Sequence, residues 1–373
     1  MTKHRFIICL STIVLMLLFA MPAAAQSKPL IQLAILLDTS GSMDGLIEQA
    51  KAQLWKMVNE LATARKNGRA PQLQVALYEY GKDSIPAAEG YLRMIVPLSG
   101  DLDRISAELF QLKTDGGSEY CGQVIQRAAR DLAWSSDSND LKMIFIAGNE
   151  PFTQGAIDYR QAVKEAITRG VVVNTIFCGN FEEGVQGKWK DGADLADGRY
   201  LTIDQNQRLP RIAAPQDQEL AKLNQDLNKT YLAYGRKGQE RKTLQERQDA
   251  NALALSPAVS AQRAAAKASG QYQNAEWDLV DAKKEGTVKI AEMKDEELPE
   301  ELRNLPQAKR EAYVEKLLKA RGAVQDQIQK LSQEREKYVG AQMEKLTVGN
   351  TLDSAILDAM RSQAKAKQFR FEK

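Results

Sequence analysis

The stretch Ile31–Asp44, IQLAILLDTSGSMD, constrains this chain more than any other. Residues 31–37 are a nearly unbroken aliphatic run, which suits a strand buried on both faces at the centre of a parallel sheet. The run ends in Asp38-Thr39-Ser40-Gly41-Ser42. Leu46, Ile47, Ala50, Leu54, Met57, Val58 and Leu61 then recur at spacings of three and four, the period of an amphipathic helix. The oxygen-rich cluster therefore sits on a strand-to-helix turn, at the carboxyl end of a strand. Open α/β sheets bind ligands at that edge.

Asp38, Ser40 and Ser42 are oxygen donors on alternate residues, so they can point toward one centre, and Gly41 lets the backbone pass close by. Oxygen-only ligands suit a hard cation, Mg²⁺ or Mn²⁺. Either serine alone would read as a helix cap. The full pattern behind a buried strand favours the metal.

Further strands are expected at Leu73–Tyr80, Tyr91–Leu98, Leu141–Ala147, Val171–Phe177 and Arg199–Ile203, with Tyr91–Leu98 at an edge because of Pro97. Helical patterns lie between them: one capped by Asp101, one over Tyr120–Trp134, and one over Ala156–Arg169. Strands separated by helices predict an α/β fold, a doubly wound parallel sheet. Beyond Pro215 the pattern turns helical. Residues 251–270 are Ala- and Ser-rich around Pro257 and read as a loose, low-complexity connection. Leu317, Val324, Leu331 and Tyr338 recur every seven residues, a coiled-coil-like seam interrupted by Arg321 and Arg335. Residues 216–373 are expected to form an α-helical hairpin or stalk with disordered pieces, separable from a first domain that folds alone when cut near Pro215, with packing of these helices on the first domain as the alternative.

The Asp-Thr-Ser-Gly-Ser-Met turn resembles the first motif of the von Willebrand factor A (vWA) domain family, whose metal-ion-dependent adhesion site is built on Asp-x-Ser-x-Ser. The resemblance spans roughly Leu30–Asp204, a domain of about residues 30–210. It implies a metal ligand from a second loop, and Gly116-Gly117-Ser118 offers Ser118 where the family has Thr. It also implies a Thr-Asp-Gly after the fourth strand, and here the chain departs: Ala147-Gly148-Asn149 stands in that place, with no carboxylate. Either Asn149 or Glu150 substitutes, or Asp38 is the site's one acid. The family's use implies an open metal position filled by an Asp or Glu carboxylate from a protein partner.

The N-terminus reads as a targeting segment. Lys3, His4 and Arg5 precede the apolar run Phe6–Ala20, and Ala23-Ala24-Ala25 offers a cleavage site, so residues 1–25 are expected to be a signal peptide. The run is shorter than the roughly 20 residues of a spanning helix, no later stretch is apolar enough to span, and the mature chain is expected in the periplasm or outside the cell. Export permits a disulfide between Cys121 and Cys178, both expected near the ligand-binding edge; two buried thiols are the alternative. The sole histidine, His4, would leave with the signal, which removes Ser-His and Cys-His catalysis. Lys plus Arg number 51 against 49 Asp plus Glu, a balance that argues against nucleic acid.

Three functions compete: an exported metal-dependent binding module and not an enzyme; a structural periplasmic coiled coil with a degenerate domain, self-associating through its helices; and a phosphoryl hydrolase using Asp38. The hydrolase lacks a second carboxylate beside Asp38 in sequence and a phosphate-clamping loop.

Overall fold

The computed structural model describes residues 28–203, 212–345 and 352–372. The expected signal segment, 1–25, lies outside them. The elements begin β1 (Leu30–Asp38), α1 (Asp44–Ala62), β2 (Ala64–Arg65), β3 (Gln72–Tyr80), β4 (Leu92–Ser99), α2 (Leu102–Gln111), α3 (Cys121–Asp131) and β5 (Leu141–Gly148). They continue α4 (Tyr159–Thr168), β6 (Val172–Cys178), α5 (Phe181–Gln186), α6 (Trp189–Asp194) and β7 (Tyr200–Ile203).

Six of these strands form one sheet in the order β4-β3-β1-β5-β6-β7. All pairings are parallel except β3 with β4, so the sheet is mixed, with its antiparallel strand at the edge where Pro97 was expected to put it. β1 is central and buried on both sides, as its aliphatic run requires. Ile31, Leu33, Ile35 and Leu37 face a core shared with α1 and α2, and Ala34 and Leu36 face one shared with α3 and α4. The Asp101 cap is present, its side chain accepting from Arg104 N at 3.0 Å. Such a cap is worth about 1 kcal/mol.

The two cysteines divide between these cores. Cys121 lies in the α3/α4 core and Cys178 in the α1/α2 core. Both are buried and free, so the expected disulfide does not form: the sheet stands between the thiols.

The helical region comprises α7 (Asp217–Asn228), α8 (Gly238–Leu255), α9 (Pro257–Lys267), α10 (Leu279–Glu285), α11 (Glu300–Arg303), α12 (Gln307–Lys345) and α13 (Leu352–Ala366), ending in β8 (Arg370–Phe371), which pairs with β2. It packs on the sheet domain. Leu220, Leu227, Val259, Ala264, Ile328 and Met360 share one apolar core with Leu54, Trp55 and Leu61 of α1. The stretch expected as a loose connection is instead largely α9. Ser256 caps it with a bond from Val259 N, Pro257 opens it, and its alanines are buried because only small side chains let it approach α1, α7 and α8. The seven-residue pattern on α12 has a different meaning from a seam between chains. Its buried stripe is Val314, Arg321, Ile328 and Arg335. The two arginines are the anchors of this stripe: Arg321 bonds Asp278 and Asp281 at 2.5 and 2.7 Å, and Arg335 bonds Asp217 at 2.6 Å. A second, smaller core holds α10, α11 and the start of α12 together. Among the described residues no helix is long and apolar enough to cross a membrane.

Candidate metal site

The carboxyl end of β1 delivers Asp38 into the sheet's upper edge between β3 and β5. Thr39 N continues the β1–β3 ladder by donating to Tyr80 O at 2.8 Å. Two bonds tie this turn to the loop before α3: Asp115 N donates to Thr39 O at 2.9 Å, and Thr114 Oγ1 to Asp44 Oδ1 at 2.6 Å. The first and second loops are thus held together before any ligand is considered.

Asp38 is fully buried. Its Oδ1 accepts from Ser40 N at 2.7 Å, while Oδ2 is buried with no hydrogen-bonding donor. Ser40 Oγ lies 3.4 Å from Ser42 Oγ, and Asn149 Nδ2 donates to Ser42 Oγ at 3.2 Å. The first and third loops therefore meet at Ser42, and the two serine hydroxyls lie side by side. Ser40 is buried and Ser42 is exposed, so the cluster grades from a buried acid to a solvent-facing hydroxyl. Ser118 is half-buried on the second loop.

Glu119 closes the polar turn 113–119 and belongs to none of the motifs above. It is 3 % exposed, and its side chain lies beside the Asp38 carboxyl at Gly81. Glu119 Oε2 also accepts from Glu150 N at 3.3 Å. Gly81 makes this approach possible. Its φ is +77°, and a Cβ there would lie 2.7 Å from Asp38 Oδ1 and 2.8 Å from Glu119 Cγ. Glu150 enters differently from expectation: its backbone faces the site, with its carbonyl accepting from Trp189 Nε1 at 2.8 Å, while its side chain is exposed.

The electrostatics follow from two acids in one dry place. Burial, then the hydrogen bond to Glu119 and that residue's charge, push Asp38 well above the ordinary carboxylate range. Burial likewise raises Glu119. Burial also raises the nearby thiols of Cys121 and Cys178, which makes both poor nucleophiles.

These donors fit a hard divalent cation. They are all oxygens, one buried carboxylate oxygen lacks a donor, and hydroxyls stand beside it. Among the described residues no group of three or more His, Cys, Asp or Glu side chains could hold a metal, so any cation here would depend on the hydroxyls as well.

A mixed six-stranded sheet flanked by helices, with Asp-x-Ser-x-Ser at the carboxyl end of its central strand, is the architecture of an A-type domain. The chain belongs to the von Willebrand factor type A domain family, whose profile matches residues 32–230. Solved structures with a similar domain include BatB from Bacteroides thetaiotaomicron, at 20 % identity over 47 % of this chain and 90 % of that one, with a TM-score of 0.34. The VWA domain of SpRpn10 is 14 % identical over 48 % of this chain and 91 % of its own, with a TM-score of 0.36. Proximal thread matrix protein 1 of the mussel byssus, solved with zinc in its MIDAS motif, is 12 % identical over 48 % of this chain and 43 % of its own, with a TM-score of 0.34. No curated protein matches the chain.

Proposed function

We propose that the protein is an exported, metal-dependent protein-binding module. Asp38, Ser40, Ser42 and Ser118 would hold one Mg²⁺ or Mn²⁺, and a partner's Asp or Glu carboxylate would complete its shell. The observation that carries this reading is the buried, unpartnered Asp38 Oδ2 beneath the Ser40–Ser42 hydroxyl pair at an open edge of the sheet. A bound cation supplies the positive charge that a partner carboxylate needs. The chain's own residues do the rest. The buried acid anchors the charge, the turn orients the hydroxyls, and the exposed rim of Gly41, Ser42 and Glu150 leaves room for a second protein. The chemistry is recognition and not turnover. Lys82, the cation nearest in sequence to the Gly81 approach, is engaged by Glu79 at 3.3 Å and by Lys113 O at 3.0 Å, which does not favour it as a phosphate clamp. Self-association is not part of the proposal, because the α12 stripe is covered within the chain.

Asp38→Ala should abolish cation uptake measured by calorimetry. Ser42→Ala should weaken it about tenfold while leaving the melting temperature unchanged, since an exposed turn hydroxyl packs against little. Capture of an envelope partner should respond to Mg²⁺ and to chelator in the same order across these variants, because metal and partner binding are reciprocal. If the unmutated protein takes up no divalent cation, the module is structural and the metal reading fails. Export into the periplasm or beyond predicts a mature chain starting at Gln26 by mass spectrometry; an exported form retaining Met1 refutes the cleavage.

A further inference from the structure

The family carries an acid on its third loop, at the position of Gly148 here. The structure explains why an acid cannot stand there. A Cβ on Gly148 would lie 2.5 Å from Tyr80 Oη, 3.1 Å from Asp38 Oδ2 and 3.2 Å from Asp38 Cβ. Tyr80 fills that room, fully buried, with its hydroxyl donating to Ala147 O at 2.9 Å. A carboxylate from the third loop would have to displace both. We propose that Glu119 supplies the site's second carboxylate, from the second loop, so that one loop provides a hydroxyl (Ser118) and an acid in succession. This rests on the metal reading above and deepens it.

Three observations converge. Glu119 and Asp38 are packed against each other across Gly81, which has no side chain to separate them. Asp38 Oδ1 lies on the Gly81 side with Glu119, and Oδ2 of the same carboxyl, on the Gly148 side, is fully buried without a hydrogen-bonding donor and so is left for a cation. The backbone N–H groups around Glu119 are arranged to fix its carboxyl: Glu150 N donates to Oε2, and Glu119 N is held by Gln154 Oε1. The alternative residue, Glu150, has its backbone in this arrangement and its side chain in solvent.

The test is calorimetry of the mature full chain with MnCl₂ and MgCl₂, alongside melting curves with and without chelator. Glu119→Gln should weaken cation binding at least about tenfold. It should also lose the cation-induced rise in melting temperature, while melting in chelator at or above the unmutated protein, because a neutral Gln amide can donate to the Asp38 carboxylate it faces and removes a buried like charge. A merely structural Glu119 would show the opposite in chelator. Glu150→Gln should stay within about twofold of the unmutated protein. Adding Asn149→Asp to Glu119→Gln should recover part of the lost affinity, since Asn149 already touches Ser42. Should Glu119→Gln not fold, Glu119→Asp is read instead, and an affinity equal to the unmutated protein's overturns the proposal. Equal cation affinity for Glu119→Gln overturns it while leaving the metal site standing. A fall with Glu150→Gln alone overturns it in favour of the third loop. No uptake by the unmutated protein overturns both.

Discussion

Replacing Asp249 by Asn should cost the chain about 3–5 kcal/mol of stability at neutral pH. Asp249 of α8 accepts from Arg263 Nε at 2.5 Å, from Lys267 Nζ at 2.8 and 3.2 Å, and from Asn228 Nδ2 at 2.7 Å. Arg263 is 1 % exposed and Lys267 is 0 % exposed. The other anion present is Asp103 of α2, whose Oδ1 lies 2.9 Å from Arg263 Nη1. Two buried cations thus face two carboxylates, and the Asn variant leaves one positive charge uncompensated. Lys267 limits the damage, since burial already pulls it below its ordinary range and it can shed its proton. The lower end of the range is therefore expected.

The pH dependence gives a second readout. Burial alone would raise Asp249, but the charges of Lys267 and Arg263 outweigh it and hold the carboxyl below its usual range. A depressed acid stabilises the fold above its unfolded value of about 3.9, and that contribution is lost as pH falls through the folded value. Urea unfolding of the two proteins should therefore differ most near neutrality, and the gap should narrow below about pH 4. A difference under about 1 kcal/mol at pH 7, or one that is constant down to pH 2, would refute the reasoning.

The same interface makes residues 30–215 a poor candidate for an independent fragment. Arg263 lies 4.7 Å over the Trp55 ring and Asn59 Nδ2 donates to Gln262 O at 2.9 Å, so truncation near Pro215 should bare the apolar side of α1 and give an insoluble product; a monomeric, cooperatively melting fragment would refute this. Alkylation of native protein should leave Cys121 and Cys178 unmodified, and alkylation after denaturation without reductant should label both; mass spectrometry finding them linked would contradict the sheet's placement between them. Gly148→Ala should cost about 1–3 kcal/mol, because its methyl meets Tyr80 Oη and Asp38. A neutral result by thermal melting would show that Tyr80 moves freely.

The sheet domain was legible because its signals are local. Aliphatic runs marked the strands, Asp101 marked a cap, and Pro97 marked the edge. The helical region was legible only as helical. Arg321 and Arg335 looked like breaks in a seam because an arginine at a core position is costly unless paired, and their partners lie far away in sequence: 43 and 40 residues for Asp278 and Asp281, and 118 for Asp217. The alanines of α9 looked like low complexity for a related reason: a small residue reads as a loose connection until the neighbours that need its smallness are known.

The proposed metal site divides along the same line. Asp38, Ser40 and Ser42 lie within one turn, so their convergence follows from the chain's own geometry. The second acid does not, because proximity along the third loop points to Glu150 while proximity in space points to Glu119. Two residues of β3 and its turn decide between them. Tyr80 closes the third-loop position with its ring and hydroxyl, and Gly81, with φ at +77° and no side chain, opens the path by which Glu119 reaches Asp38. Tyr-Gly at the end of a strand reads locally as a strand stop. Only once β1 and β3 are paired, with Asp38 opposite Tyr80, does the same dipeptide determine which loop can bring a carboxylate to the site.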